Sequence, residues 1–457
     1  MDIQNIKQVT VMTEIKIKDN TLNGKDKFED IGLLTEKITD KTLEQLEKEG
    51  VFVFPNAVKN AEDITKEQMI LQRVNDCYRT SNIMGFLGYG KERLIIESRF
   101  SADNHDYFFQ YLLECVLEFP NILELNTDTN QDNRFLNLLL FLFPRYLKSA
   151  MRKGAYKTYI HNQYNDSNVK GTIDIARHVR ENTPFVGKIA YNQREFSYDN
   201  YLMELVRHTI EFIKTKPYGN KLLNSVKDET AAVVKATSGY EYYNRRKVLI
   251  TNKKNPIRHA YYSEYRELQL LCIMILQHEK HQMNPGIQQV HGIIFDGAWL
   301  WEEYIDSLIG ELFNHPMNKG RKGAQQLFTG TTGKIGLIYP DFISRDTENR
   351  TVADAKYKPI SNIGNADYFQ VLAYMLRFEA KKGFYLYPEI NEVDNLELWL
   401  NSGSTYKRNV VARDDIMLVK CGLRIPCHSE SYNHFKEQIM NSEKSFVNKF
   451  YSQLNFQ

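Results

Sequence analysis

The stretch Tyr339–Pro359, YPDFISRDTENRTVADAKYKP, decides how the rest of this 457-residue chain is read. Two short runs, GKIGLIYPDFIS and TVADAKYKP, flank the polar turn RDTENR, which is the pattern of a β-hairpin. Side chains alternate along a strand, so Asp354 and Lys356 share one face while Ala353, Ala355 and Tyr357 share the other. The hairpin brings Asp341 alongside that pair. Two carboxylates held so close repel each other, and a hard divalent cation such as Mg²⁺, which takes oxygen ligands and keeps several waters, offsets the repulsion. A lysine beside it can orient a water or stabilise charge developing on a phosphate.

The segments on either side fit the same chemistry. Downstream, ADYFQVLAYMLRFEA has helical periodicity, with Phe369, Leu372, Ala373, Leu376 and Phe378 as expected apolar contacts. Gln370 and Tyr374 are four apart and share a face. Upstream, FDGAWLWEEYIDSLIGELF predicts a helix with the apolar stripe Trp301, Tyr304, Ile305, Leu308 and Leu312. Glu303 groups with Asp306, Ser307 and Gly310 on a solvated face. Glu302 groups with Ile305 and Ile309 at the border of the buried one, where a carboxylate needs a compensating partner.

The proline and acid at 340–341, twelve intervening residues and then Asp354-Ala355-Lys356 resemble the PD-(D/E)xK nuclease signature, and Gln370 with Tyr374 is similar to the QxxxY element of its RecB-like members. The resemblance implies that Asp341 and Asp354 bind Mg²⁺, with the Ala355 carbonyl a further ligand, that Lys356 assists attack on a phosphodiester, and that Gln370 and Tyr374 line the site. Glu302 is the expected additional ligand, with Glu303 the alternative.

Composition permits this. Hydrophobic residues make up 42% and charged residues 25%, ordinary for a globular protein, and a formal charge of +2 requires any basic surface to be local. The expected local surface is the loop NHPMNKGRKGAQQ, where Lys319, Arg321 and Lys322 would track a DNA backbone. Five cysteines without framework spacing suit a reducing compartment. The N-terminus has no signal-peptide core, and FLNLLLFLFPRYL is short for a bilayer and interrupted by Pro144. A cytoplasmic protein without membrane contact is expected.

The fold expected is multidomain, α/β and α+β: a β-rich region over 1–103, a mainly helical region over 104–285, and a nuclease domain over 286–457 with a mixed central sheet flanked by helices. NRRKVLITNKKNPIRHA reads as a basic connector, and in REFSYDNYLMELVRHTIEFI Ser197 or Asp199 reads as the helix cap.

NIMGFLGYGKERLIIES, NVKGTIDIARHVREN, REFSYDNYLMELVRHTIEFI and LWEEYI resemble successive blocks of the McrC family, the nuclease subunits of McrBC-type and LlaJI-type restriction systems. That resemblance implies a partner, an AAA+ GTPase ring of the McrB type that recognises double-stranded DNA. The subunit itself would dock through its N-terminal half, stimulate GTP hydrolysis and cut. No nucleotide-binding loop is expected here, since GFLGYGKERL lacks GxxxxGK[ST] spacing and reads as a glycine-rich turn. Two rivals are an inactive subunit that only regulates the motor and a stand-alone nuclease.

Overall fold

Short runs rich in β-branched and aromatic residues become strands, mostly buried in the middle of the sheet and alternating in exposure at one edge. Five of them, β1 (Thr13–Lys18), β2 (Val51–Phe54), β3 (Ile83–Tyr89), β4 (Glu92–Glu97) and β5 (His291–Asp296), form a mixed sheet in the order β1-β4-β3-β5-β2. Gly90 and Lys91 form the tip of the β3–β4 hairpin, with Tyr89 opposite Glu92, while Gly85 and Gly88 of the glycine-rich segment lie in β3 itself. Gly85 has φ +143°, and a Cβ there would lie 2.2 Å from the Ile293 carbonyl, so the β3–β5 approach requires glycine.

The computed structural model describes residues 13–49, 51–54, 68–101, 106–117, 131–283, 290–316, 323–330, 333–392, 394–403 and 410–454. It divides into two compact units, Met1–Thr127 with Ile287–Gln457, and Asp128–Gly286. The boundary expected at 285 lies one residue from the end of the second unit, whereas the one at 103 falls inside the first. Helix α1 (Tyr107–Leu117) falls in it, and β5, from beyond residue 285, pairs with β3 and β2. The reason is burial: Ile293, Ile294 and Phe295 of β5 are all fully buried, and a strand apolar on both faces needs neighbours on both.

The second sheet of this unit holds the opening segment. Its strands are β6 (Phe313–Asn314), β7 (Phe342–Ser344), β8 (Thr351–Ala355), β9 (Lys382–Glu389), β10 (Leu396–Ser402) and β11 (Val411–Arg424). Their order is β6-β7-β8-β9-β11-β10, with β8, β9 and β11 parallel and the outer pairings antiparallel. Around it lie α2 (Gly297–Ile309), α3 (Asn365–Phe378) and α4 (Tyr432–Leu454). One apolar cluster unites Val371, Tyr374, Met375 and Phe378 of α3 with Val352 of β8 and Tyr385 and Tyr387 of β9. Burying each such side chain contributes about 1.5–3 kcal/mol.

Two helix readings need correction. Phe369 and Leu376 are 71% and 81% exposed, because α3 turns Asp367, Val371, Tyr374, Met375 and Phe378 inward. Leu312 lies beyond the end of α2 and is 44% exposed, while Trp299, Leu300 and Ile309 join the buried face.

In the second unit, helices Gln131–Met151, Tyr201–Lys214 and Ser263–Met283 pack together, and the first continues through Pro144. Among the described residues no helix is long and apolar enough to cross a membrane. Asn200 caps the helix Tyr201–Lys214 by accepting from the amides of Leu202 and Met203, in place of Ser197 or Asp199. The basic stretch 245–254 is helical, anchored by Val248, Leu249 and Asn252. A three-stranded sheet is built from Thr158–Asp166, Thr172–Ile173 and Ile189–Ser197.

Phe295 tests the composite first unit. It is fully buried and packs against Phe54 (5.4 Å) and Phe109 (5.5 Å). Phe295→Ala should lower stability in urea by about 3–5 kcal/mol, and a loss under about 1 kcal/mol would show that β5 is not central to the core.

Candidate active site

The predicted strand through the Pro340-Asp341 dipeptide is split. Gly333–Ile338 pairs with Gln325–Gly330 in a separate two-stranded sheet, and Phe342–Ser344 enters the main sheet as β7. Asp341 sits at the break, one residue before β7. The predicted hairpin pairing is present beyond it, with Phe342 opposite Ala353 and Ile343 opposite Val352. That register carries Asp341 to the end of β8, where its Oδ2 accepts the Ala355 amide at 2.9 Å.

Asp354 is 1% exposed and Asp341 8%. Lys356 Nζ lies 2.7 Å from Asp354 Oδ2, donates to Gln370 Oε1 at 2.9 Å, and is 3.7 Å from Asp367 Oδ1. Because an ammonium only donates, this bond fixes the Gln370 amide with its oxygen toward the lysine. Its Nε2 then donates to the Tyr374 hydroxyl at 2.7 Å, and that hydroxyl donates to the Tyr339 carbonyl at 3.1 Å. The Gln370–Tyr374 pair thus ties Lys356 to the loop that delivers Asp341.

The charges are strongly perturbed. Burial raises the Asp341 carboxyl well above the usual range, and the negative charges of Glu302 and Asp354 push it further; Lys356 and the Ala355 amide oppose this. Burial works against a charged Lys356, but Asp354, Asp341 and Asp367 outweigh it and hold the ammonium above its ordinary range.

Glu302 lies on the site side of α2. Its Oε1 is 3.5 Å from His315 Nε2, while Glu303 accepts from Trp299 Nε1 on its own helix at 2.8 Å. His315 Nδ1 donates to the Asp341 carbonyl at 2.8 Å, and the ring stacks on Phe342. The histidine therefore spans the two acids. Lys319, Arg321 and Lys322 lie outside the described residues.

Three contributors escape a sequence reading. Asp367 accepts the Gly364 amide at 2.9 Å and pairs with Lys358 at 2.7 Å, and these contacts, with Lys356, outweigh its burial and hold its carboxyl below the usual range. An acid three residues after the cap of α3, Gly364, is a capping pattern that could have flagged it. Lys358, two residues after Lys356, shares its alternation. His315 leaves no local signal.

The donor set suits a hard cation: Asp341, Asp354 and Glu302 offer carboxylate oxygens, and their mutual repulsion is already expressed at Asp341. Among the described residues no three His, Cys, Asp or Glu side chains are gathered as an ion's ligands. The position against Asp354 is taken by the lysine ammonium, and one Asp341 oxygen by the Ala355 amide.

Lys356→Met leaves the acids without their counter-charge and should destabilise by about 3–5 kcal/mol at pH 8. The Asp341 carboxyl, raised by burial, binds a proton in the fold at a pH where the unfolded chain does not, so the loss should shrink as pH falls. Urea titrations at two pH values check this; a pH-independent loss contradicts it.

A family model described as McrBC 5-methylcytosine restriction system component matches residues 78–388. No curated protein matches the chain. Two solved structures are similar at low identity. A refined half-complex from the tetradecameric assembly of Thermococcus gammatolerans McrB AAA+ hexamers with bound McrC contains a chain 14% identical, with TM-score 0.42, covering 94% of this chain and 100% of that one. The Thermococcus gammatolerans McrBC complex contains another, 13% identical, with TM-score 0.30, covering 65% of this chain and 87% of that one.

Proposed function

The chain belongs to the family of McrBC 5-methylcytosine restriction system components, and from that premise and the geometry of the site we propose that it is the DNA-cutting subunit of such a system. The reaction is hydrolysis of a phosphodiester in double-stranded DNA, in the cytoplasm. The observation that carries the reading is that Lys356 is ion-paired to the buried Asp354 and hydrogen-bonded to Gln370, which Tyr374 holds, while Asp341 is fixed on the adjoining Ala355 amide. An ordinary surface hairpin has no reason to bury two carboxylates beside a lysine that a glutamine and a tyrosine hold in place.

Asp341 and Asp354 would hold Mg²⁺ with the Ala355 carbonyl, and Glu302 would add a ligand directly or through water. When bound, the ion offsets negative charge gathering on the phosphate and lowers the pKa of a water. Lys356, freed from Asp354, positions the attacking water and faces the scissile phosphate with its charge. Gln370 accepts from the ammonium and limits its rotamers, while Tyr374 fixes Gln370. His315 holds Glu302 and the Asp341 backbone in a common frame. Lys319, Arg321 and Lys322 contact the DNA backbone without reading sequence.

Family membership also supports a partner, an AAA+ GTPase ring of the McrB type that chooses the DNA and is stimulated by this subunit. The chain's own glycine-rich segment is a strand and its turn, without GxxxxGK[ST] spacing, which supports a reading in which the partner binds the GTP.

Purified with its GTPase partner, the protein should cut DNA in Mg²⁺, and Asp354→Ala should lower cutting by at least about a thousandfold while the complex still assembles. Cutting by Asp354→Ala at the wild-type rate would remove the assignment. Loss of cutting in every preparation with GTP hydrolysis still stimulated would favour the regulatory rival, and cutting without partner or GTP the stand-alone one.

A further inference from the structure

The segment ESRFS, Glu97–Ser101, follows β4 and takes no part in the chemistry above, yet its contacts converge on the residue after the candidate catalytic lysine. Beyond Ala355 the chain leaves the sheet. The Lys356 amide makes one last ladder bond, to the Leu386 carbonyl at 2.9 Å, an oxygen that also accepts Trp301 Nε1 at 3.0 Å. A tight turn follows, in which the Lys358 amide reaches back to the Lys356 carbonyl. Where the Lys356 side chain points therefore depends on how Tyr357 is held.

Tyr357 is held from the N-terminal sheet. Its carbonyl accepts Arg99 Nη2 at 3.1 Å, its hydroxyl meets Ser98 Oγ at 2.7 Å, and its ring lies under the Arg99 guanidinium at 4.7 Å. Phe100 packs edge-on to it, and a Cβ on Gly297 would come within 2.8 Å of it. Arg99 is fixed in turn. It pairs with the fully buried Asp19 at 3.0 Å, donates to Asn82 at 2.6 Å, and its own amide donates to Asp19 at 2.6 Å. Nη2 thus lies against an acid, an amide oxygen and a backbone carbonyl while the guanidinium plane covers the Tyr357 ring, and a lysine, which has no planar face, does not reproduce that stacking.

We propose that Arg99 is a positioning residue for Lys356, acting through Tyr357, so that the N-terminal sheet forms part of the nuclease site. The inference rests on the nuclease reading above. Lys356 and Tyr357 leave opposite faces of the same short segment, so a displaced Tyr357 carbonyl turns the lysine off the line joining Asp354 and Gln370. A misplacement of about 1 Å at such a group costs on the order of a hundredfold in rate.

The test uses the full chain with its GTPase partner at saturating Mg²⁺. Arg99→Lys keeps the charge opposite Asp19 but gives up the planar face stacked on the Tyr357 ring. It should lower kcat at least about tenfold, with the half-saturating DNA concentration within about twofold of wild type. Arg93→Lys, the same substitution at the hairpin end of β4, is the matched control and should leave kcat unchanged. If Arg99→Lys does not fold, Tyr357→Phe, which removes only the hydroxyl bond to Ser98, decides, with an expected loss of about threefold in kcat. Wild-type kcat in the deciding variant, or a loss carried by KM, overturns the positioning role. An equal loss in Arg93→Lys overturns it too, by assigning the effect to general sheet stability. Asp354→Ala runs in parallel: if it still cuts, the nuclease reading itself has failed, whereas an inactive Asp354→Ala beside a fully active Arg99→Lys sinks only this inference.

Discussion

The site depends on one contact, the Lys356 ammonium set 2.7 Å from Asp354 Oδ2 where the carboxylate is almost wholly removed from water. A buried carboxylate needs a counter-charge or a proton, and a buried lysine needs acceptors for its donors. Each group answers the other's requirement, and Gln370 takes a further donor of the lysine. Asp341 has less compensation, one backbone amide and a more distant lysine, and its carboxyl is accordingly driven upward by burial and by its acidic neighbours. In the proposed reaction the internal cation, Lys356, would give way to an external one.

The surrounding fold holds the backbone of the cluster. Asp354 lies in a strand with parallel neighbours on one side and the short β7 on the other, so its backbone cannot follow the side chain. Tyr374 belongs to the apolar cluster beneath α3, which anchors the Gln370–Tyr374 pair to the sheet. Across the sheet, Trp301 of α2 reaches the Leu386 carbonyl beside Lys356, while Glu302, the next residue, faces His315. Lys356 leaving Asp354 would also break or rearrange its contact with Gln370.

The legible parts were those encoded by short-range geometry. Asp341, Asp354 and Lys356 are joined by a local hairpin and strand alternation, and Gln370 and Tyr374 by one helical turn, so spacing alone was enough to group them. The faces of α3 were harder. Both stripes of that helix carry apolar residues, and the choice that exposes Phe369 and Leu376 comes from packing against β8 and β9. His315 reaches Asp341 through the β6–β7 pairing, and β5 joins strands more than two hundred residues earlier, contacts that no sequence window contains. The helix over 245–254 was hidden by its charge, since Val248 and Leu249 are its only buried apolar residues.

The most direct test is to locate a cation. In crystals soaked with Mn²⁺, which shares the oxygen preference of Mg²⁺ and scatters anomalously, the account predicts a peak about 2.1 Å from oxygens of both Asp341 and Asp354, with the Lys356 ammonium moved off Asp354. No peak at that position under saturating Mn²⁺, with the lysine still seated on Asp354, would contradict it.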